Sequence, residues 1–152
     1  MQTSSIQVSI HEPRSKRGEA EADAFDLQQL LDLFQVAAFW ASDRRLEDLA
    51  VAIAHSSPVV GAWHDGKLVG FARATSDGVY RATIWDVVVH PDFQAQGLGR
   101  KLVETILSHP HVHRVERVYL MTTFKEKFYE RVGFQRNNST TMVLHRQPLA
   151  EL

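Results

Sequence analysis

Apolar residues recur along the chain with two periods, and each period predicts one type of element. A spacing of three and four residues predicts helices over residues 27–38, 43–57, 98–107 and 125–132. Alternation with polar residues, or a short apolar run between turn residues, predicts strands over residues 6–10, 59–63, 67–74, 80–89, 114–122 and 140–145. The predicted order is β-α-α-β-β-β-α-β-α-β, an α/β (α+β) fold with a mixed, mostly antiparallel central sheet and helices on both faces.

Turn and cap residues separate these elements. Asp65-Gly66 is a hairpin signal between two strands, and Asp77-Gly78 precedes the next strand. Ser42 is predicted to cap the second helix at its N-terminus, and Gly133 is predicted to end the last helix. His90, which precedes Pro91, is interpreted as the end of a strand rather than as a catalytic group.

Length and composition predict an ordinary globular protein. The 152 residues suffice for one domain with a sizeable core, so we expect a single domain over residues 1–152. Residues 1–24 are expected to form a partly mobile segment, because much of that stretch is charged and rich in small side chains. A hydrophobic content of 44% and a charged content of 23% are typical of soluble proteins.

Charge and cysteine content exclude several classes of function. A net charge of -1 without a basic stripe gives no reason to expect a nucleic-acid partner, and neither a membrane span nor a leader is predicted. The absence of cysteine excludes disulfides, thiolate catalysis and cysteine-based zinc sites, and it fits a cytoplasmic location. The alternating histidines around Pro110 are interpreted as a solvated loop, so no metal is expected.

The stretch from Val87 to Leu107 carries the strongest chemical signal. An apolar strand ends there, and the turn Gln94–Gly99 leads directly into an amphipathic helix. Gly97 and Gly99 lack the Cβ atoms that would keep a ligand from the backbone. Unpaired N–H groups at the start of the helix favour an anion, so the pattern predicts a phosphate site. A Walker loop is excluded because no Gly-Lys-Ser/Thr follows, and a dinucleotide fingerprint because Leu102 replaces its third small residue.

Two motifs resemble one enzyme family. Gln94, Gly97 and Gly99 have the spacing of Gln/Arg-x-x-Gly-x-Gly/Ala, which resembles the pyrophosphate motif of the GNAT superfamily of acetyl-CoA-dependent N-acetyltransferases. Residues 128–134, FYERVGF, are similar to the FYxxxGF signature of the family's last helix. The resemblance covers residues 27–144 and implies the GNAT fold, with acetyl-CoA as cosubstrate and no metal.

A third region points to one branch of the family. Residues 72–77 and 82–87 resemble the branch that contains plastid acetyltransferases of plants and their cyanobacterial relatives, including serotonin (arylalkylamine) N-acetyltransferases. Members of this branch acetylate small aromatic amines, protein N-termini or lysines.

The resemblance also implies which residues bind acetyl-CoA. They are the main chain of Val87, Val88 and Val89, splayed from the next strand by a β-bulge, the turn and helix start at Gln94, Ala95, Gln96, Gly97, Leu98, Gly99 and Arg100, and also Thr123, Phe128 and Tyr129. Thr123 stands where the family often has an asparagine, and its hydroxyl lacks the amide's paired donor and acceptor. Phe128 is equally interpreted as a packing residue.

Acetyl transfer to an amine requires proton transfers, because the amine is protonated near neutral pH and the thiolate leaving group benefits from a proton. Tyr129 is the candidate general acid, and its alternative is a core aromatic packed beside Phe128 and Phe134. Asp86 lies in an apolar strand and is the candidate general base. Its alternative is structural, a pair with Arg73 or Arg81 or a bond to the backbone.

Aromatic residues predict the acceptor site. Phe39, Trp40 and Trp85, together with Asp86, would bind a small aromatic amine, and the alternative for the rings is core packing. Trp85 and Asp86 are expected to face opposite sides of the sheet unless a bulge intervenes.

The leading hypothesis is therefore direct acetyl transfer, in a ternary complex, to a small arylalkylamine such as serotonin or tryptamine. The alternatives are a protein N-terminal or lysine acetyltransferase, and a non-catalytic acyl-CoA-binding regulatory module. By analogy with the family, a homodimer could form through the final strand and Leu149–Leu152.

Overall fold

The structure, a computed structural model, describes residues 5–11 and 25–146. Its strands are β1 (Gln7–His11), β2 (Val59–His64), β3 (Lys67–Ser76), β4 (Arg81–Val89) and β5 (Arg117–Tyr119). Its helices are α1 (Leu27–Ala37), α2 (Leu46–Ala54), α3 (Leu98–Ser108) and α4 (Glu126–Val132), with short 3-10 turns at Phe39–Ala41 and Pro91–Phe93. The strands form one sheet in chain order, antiparallel except for the parallel pair of β4 and β5, which confirms the predicted mixed sheet.

The chain divides into two compact units, residues 1–121 and residues 122–152. The first unit contains the sheet with α1, α2 and α3, and the second contains α4. Most of the segment expected to be partly mobile, residues 1–24, lies outside the described residues, as does the proposed dimer contact at Leu149–Leu152. None of the helices in the described parts of the chain is long and apolar enough to cross a membrane.

Helices α1 and α3 pack on opposite faces of the sheet, as predicted. Phe71 of β3 meets the ring of Phe34 in α1 edge to face, with centroids 5.8 Å apart. The neighbouring Gly70 points to the other face, where an added Cβ would lie 3.1 Å from Leu102 Cδ1 of α3. Gly70 therefore lets α3 lie close against the sheet. On the face that α1 covers, α1 and the sheet share a core that includes Leu30, Leu33, Phe34, Val59, Leu68, Phe71 and Val88.

The predicted turn residues end these elements as expected. Asp65 and Gly66 join β2 to β3 with φ values of 49° and 76°, and the positive sign at both positions is what a tight hairpin turn requires. Gly133 ends α4 with φ of 115° and receives no steric penalty there.

Two element boundaries were predicted wrongly. Helix α2 begins at Leu46 rather than after Ser42, because the Ser42 hydroxyl instead donates to the Phe39 carbonyl of the preceding 3-10 turn. Strand β5 is only three residues long, although residues 114–122 were predicted to be extended. The residues just before it are held by loop bonds, such as the one from Arg114 Nε to the Gly78 carbonyl.

The strand predicted over residues 140–145 is also wrong, since residues 141–145 form neither strand nor helix. The side chains of Met142, Val143 and Leu144 are exposed there. A short apolar run identifies a segment that is able to pair, but a strand forms only when a neighbour supplies its ladder of hydrogen bonds.

Candidate functional site

The glycine turn forms an open cradle at the N-terminus of α3. Gly97 is the N-cap residue in the left-handed conformation, with φ of 79°, and no side chain of the described residues caps the helix. The first main-chain hydrogen bond of α3 runs from Lys101 N to the Gly97 carbonyl at 3.1 Å. The N–H groups of Leu98, Gly99 and Arg100, which precede Lys101 in the helix, therefore have no helical acceptor. Among the described residues, a Cβ added at Gly97 would meet no atom within 4 Å, which leaves room for a ligand against the backbone.

Two predicted ligand side chains of this turn are engaged by the protein itself. Gln94 Nε2 donates to the Val89 carbonyl at 3.1 Å and so ties the turn to the end of β4. Arg100 Nε pairs with Glu104 one helical turn further on, at 2.6 Å. The main-chain N–H groups of the turn, rather than these two side chains, are therefore its candidate ligand-binding groups. Ala95 reaches the left-handed region as well, with φ of 61°.

The second half of β4 has a free edge, as expected for a strand that is splayed from the next strand, β5. Strand β5 pairs only with Arg81, Ala82 and Thr83. From Ile84 to Val89, β4 has no strand partner on that side within the described parts of the chain. The main chain around Val87 and Val88 therefore lies at an edge that an extended ligand could pair with.

A β-bulge lies in the same part of β4. The register with β3 shifts between Phe71 and Arg73, where two steps of β3 face three of β4. Asp86, in the bulge, has φ of 57°, a conformation that costs a residue with a side chain roughly 1–2 kcal/mol. This confirms the predicted bulge, and it changes the expected alternation of side chains.

The Asp86 carboxylate is the centre of an ion cluster. Its Oδ2 accepts hydrogen bonds from Arg44 Nη1 and Arg73 Nε, both at 2.8 Å, and the side chain is 6% exposed. Arg73 also donates from Nη1 to the Ser56 hydroxyl, which in turn donates to the Ala52 carbonyl. The predicted alternative of a pair with Arg73 is therefore confirmed, whereas Arg81 pairs with Glu116 instead.

This cluster determines how Asp86 titrates. Burial alone would raise the pKa of its carboxyl group, but the hydrogen bonds and charges of Arg44 and Arg73 outweigh burial and hold that pKa below its ordinary value. A carboxylate held ionised in this way is a weak proton acceptor. The geometry thus favours the structural alternative, and the role of general base stays a prediction.

Arg44 and Ser56 are functional candidates that the sequence did not reveal. Arg44 lies in the polar run Ser42-Asp43-Arg44-Arg45, which is typical of a solvent-exposed loop between two helices. Only the tertiary fold brings it to Asp86, 42 residues further along the chain.

The three predicted acceptor aromatics differ in setting. Phe39 and Trp40 stack edge to face with centroids 5.3 Å apart and are 78% and 50% exposed, so the core alternative is wrong for both. Trp85 is half-buried, donates from Nε1 to the Thr75 hydroxyl at 2.9 Å, and lies beneath the Arg73 guanidinium.

In the second unit, Tyr129 lies on α4 between two other rings. Its centroid is 4.9 Å from that of Phe128 and 5.9 Å from that of Phe134. Burial raises the pKa of the Tyr129 phenol, which keeps the group protonated at neutral pH. Both the packing alternative and the general-acid prediction fit this setting. Thr123 lies exposed before α4, and its neighbour Thr122 accepts a hydrogen bond from Lys125 N at the helix start.

His90 and His111 form hydrogen bonds that involve the backbone. His90 Nδ1 accepts from Asp92 N at the start of a 3-10 turn, which confirms its role at the strand end. His111 exchanges two hydrogen bonds with Ser76, at 2.7 and 2.9 Å. Over residues 5–11 and 25–146, no three metal-ligating side chains come together.

Comparison with known proteins relates this geometry to one family. Residues 27–134 match the sequence profile of the Acetyltransferase (GNAT) family. An uncharacterized N-acetyltransferase ycf52 of Pyropia yezoensis is 37% identical over 118 residues, which cover 72% of this chain and 63% of that protein. Histone acetyltransferase TAP1 of Glycine max is 34% identical over 128 residues, which cover 76% of this chain and 49% of that protein.

A crystal structure has the same fold. A putative GNAT-family acetyltransferase from Xanthomonas campestris pv. campestris superposes with a TM-score of 0.73 at 26% identity, covering 92% of this chain and 94% of that one. The chain spans about half to two-thirds of the length of the curated relatives it matches.

Proposed function

Because the chain belongs to the GNAT family of acetyltransferases, we propose that it transfers the acetyl group of acetyl-CoA to a primary amine. The observation that carries the proposal is the open cradle at Gly97, which lies one short turn after the free edge of β4. A pyrophosphate needs several N–H donors with no Cβ in the way, and the start of α3 offers both. An extended pantetheine chain needs an unpaired strand edge, which β4 offers.

Acetyl-CoA would supply an activated acetyl thioester. The main chain from Gly97 to Arg100 would hold the pyrophosphate, and the main chain of Val87 to Val89 would align the pantetheine arm. Direct attack by the amine in a ternary complex suits a chain without cysteine, because it requires no thiol carrier.

Tyr129 is the proposed proton donor to the leaving thiolate. Its motif resembles the family signature, and its raised pKa keeps the phenol protonated at neutral pH, so a proton is present when the thiolate forms. Thr123 is proposed to contact the cosubstrate in place of the family's frequent asparagine.

We propose an arylalkylamine as the acceptor, in keeping with the plastid and cyanobacterial branch that the sequence resembles. The support is the exposed edge-to-face pair of Phe39 and Trp40, since exposed aromatic rings at a binding site provide a stacking surface for another ring. Trp85 would contribute from β4, on the face that also carries Asp86.

A second candidate is the amine of a protein N-terminus or of a lysine. It is favoured by one observation, the high exposure of Phe39 and Trp40, which suits an open groove better than a closed pocket. The relative from Glycine max is named a histone acetyltransferase, which adds weight to this candidate.

The experiment is a turnover screen that follows release of the CoA thiol. Tryptamine and serotonin are compared with spermidine and with short peptides that carry a free N-terminus or a lysine. Higher kcat/KM for the indole amines supports the arylalkylamine proposal. Turnover of the peptides alone would replace it with the second candidate, and binding of acetyl-CoA without any turnover would indicate a non-catalytic module.

A further inference from the structure

We propose that Arg44 is a positioning residue that holds the segment between α1 and α2 against the bulge of β4, with Asp86 as its anchor rather than as the general base. The inference deepens the proposed function and rests on it, because it assigns roles around the same acceptor site.

Arg44 is fixed from two directions. Its guanidinium lies 5.2 Å from the ring centroid of Phe34, a buried residue of α1, and its Nη1 donates to Asp86 Oδ2 at 2.8 Å. The side chain is 31% exposed, so the hydrogen bond is partly protected from water. A charge-assisted bond in this setting is worth more than one at an open surface.

The segment that Arg44 holds is the one that carries the aromatic pair. Phe39 and Trp40 belong to the 3-10 turn Phe39–Ala41 in this segment, and they are 78% and 50% exposed. Exposed rings have little packing of their own to fix them. The bond from Arg44 to Asp86 therefore links the proposed acceptor surface to the strand beside which the acetyl group would lie.

Asp86 is built as an anchor. Its carboxylate is buried and accepts from Arg73 as well as from Arg44 on the same oxygen. Arg73 belongs to β3 and is itself held by Ser56, so this half of the cluster is part of the sheet framework. Asp86 is also the left-handed residue of the bulge, so the bulge carries the carboxylate that binds Arg44.

Two roles for Asp86 predict different patterns of mutation. If Asp86 anchors Arg44, Asp86→Asn weakens the link that Arg44→Gln removes, as well as the pair with Arg73, so the double variant is little worse than Asp86→Asn alone. If Asp86 is the base, Asp86→Asn alone lowers turnover sharply and removes the alkaline-rising limb from the pH–rate profile of the residual activity, whereas Arg44→Gln leaves that limb in place.

The first test is hydrogen exchange on the protein alone, which needs no acceptor. We expect amides of residues 38–45 to exchange roughly tenfold faster in Arg44→Gln than in the wild type, because a bond to a charged group has been lost. Arg45→Gln is the matched control, since the Arg45 side chain is 74% exposed and makes a long ion pair with Glu47, at 3.6 Å. Equal exchange in Arg44→Gln, Arg45→Gln and the wild type would overturn the proposal.

The second test is steady-state kinetics with tryptamine and with a short peptide. We expect Arg44→Gln to raise the acceptor KM about tenfold with the KM for acetyl-CoA unchanged, and Arg44→Lys to restore part of the loss. Additive losses in the double variant would contradict the anchor role. Should the wild type acetylate no amine, the proposed function fails, while the exchange experiment still decides whether Arg44 holds the segment.

Discussion

Trp85 and Asp86 are consecutive residues of β4, yet their side chains lie on the same side of the strand, where both contact Arg73. The guanidinium of Arg73 lies 5.9 Å from the Trp85 ring centroid, and its Nε donates to Asp86. In a regular strand, neighbouring side chains point to opposite faces. The positive φ of Asp86 cancels that alternation, and it brings an aromatic ring and a charge together beside the free edge of β4.

The cradle at Gly97 predicts the effect of a branched side chain. Gly97→Val should abolish acetyl-CoA binding in calorimetry, because its methyl groups would occupy the space proposed for the pyrophosphate. Gly66→Val is the matched control, since Gly66 has a similar φ and equally open surroundings but lies in the β2–β3 hairpin. Both variants should lose about 1–2 kcal/mol of stability through backbone strain. Normal affinity in Gly97→Val would refute the cradle.

The left-handed backbone of Ala95 predicts a stabilising substitution. Ala95→Gly should raise the free energy of unfolding by about 1 kcal/mol, because glycine adopts a φ of 61° without a steric penalty. Ala50→Gly, at an exposed position within α2, should lower it by a similar amount. Denaturant titration measures both. A loss of stability in Ala95→Gly would mean that Ala95 does not hold this conformation in solution.

The setting of Tyr129 predicts a selective loss of rate. Tyr129→Phe should lower kcat by roughly a hundredfold or more while leaving the Kd of acetyl-CoA nearly unchanged, since the ring packing survives and only the proton is lost. Tyr80→Phe, at an exposed position before β4, should have no effect on either quantity. Unchanged turnover in Tyr129→Phe would leave Tyr129 as a packing residue only.

The ion cluster predicts how stability depends on acid. Asp86 has a lowered pKa in the folded protein, so between the folded and unfolded pKa values the unfolded state binds more protons. Its contribution to stability is complete above the unfolded value and is lost as pH falls through the folded value. Unfolding of Asp86→Asn should therefore show a shallower decline below about pH 4 than the wild type.

The control for this experiment is Asp92→Asn, because the Asp92 side chain is 83% exposed. Its acid profile should follow that of the wild type. If Asp86→Asn declines as steeply as the wild type, the cluster does not hold the carboxylate ionised.

Much of the fold follows from local pattern, because helices and tight turns depend on neighbouring residues. The apolar spacing of α1 and α3, the Asp65-Gly66 hairpin and the end of α4 at Gly133 were all predictable on that basis. Strand extent was less predictable, since pairing requires a partner from elsewhere in the chain. The three-residue length of β5 and the missing strand at 140–145 are the result.

In the candidate site too, features built from consecutive residues were predictable and features built from distant residues were not. The glycine turn could be predicted because its chemistry lies in consecutive residues, and its main chain does present an open cradle. The link from Arg44 to Asp86 joins residues 42 positions apart, and no local pattern marks it. Asp86 is conspicuous in the sequence because a carboxylate is unusual in an apolar strand, but only its partners in the fold show what that carboxylate does.

Acetyl transfer is measured directly by mass spectrometry of amines incubated with the protein and acetyl-CoA that is isotopically labelled in its acetyl group. Tryptamine, serotonin, spermidine and short peptides serve as acceptors, and Gly97→Val as the control. We expect a labelled N-acetyl product that forms only with the intact cradle and is most abundant with an indole amine. Tight binding of acetyl-CoA without labelled product from any amine would contradict the proposed enzymatic function.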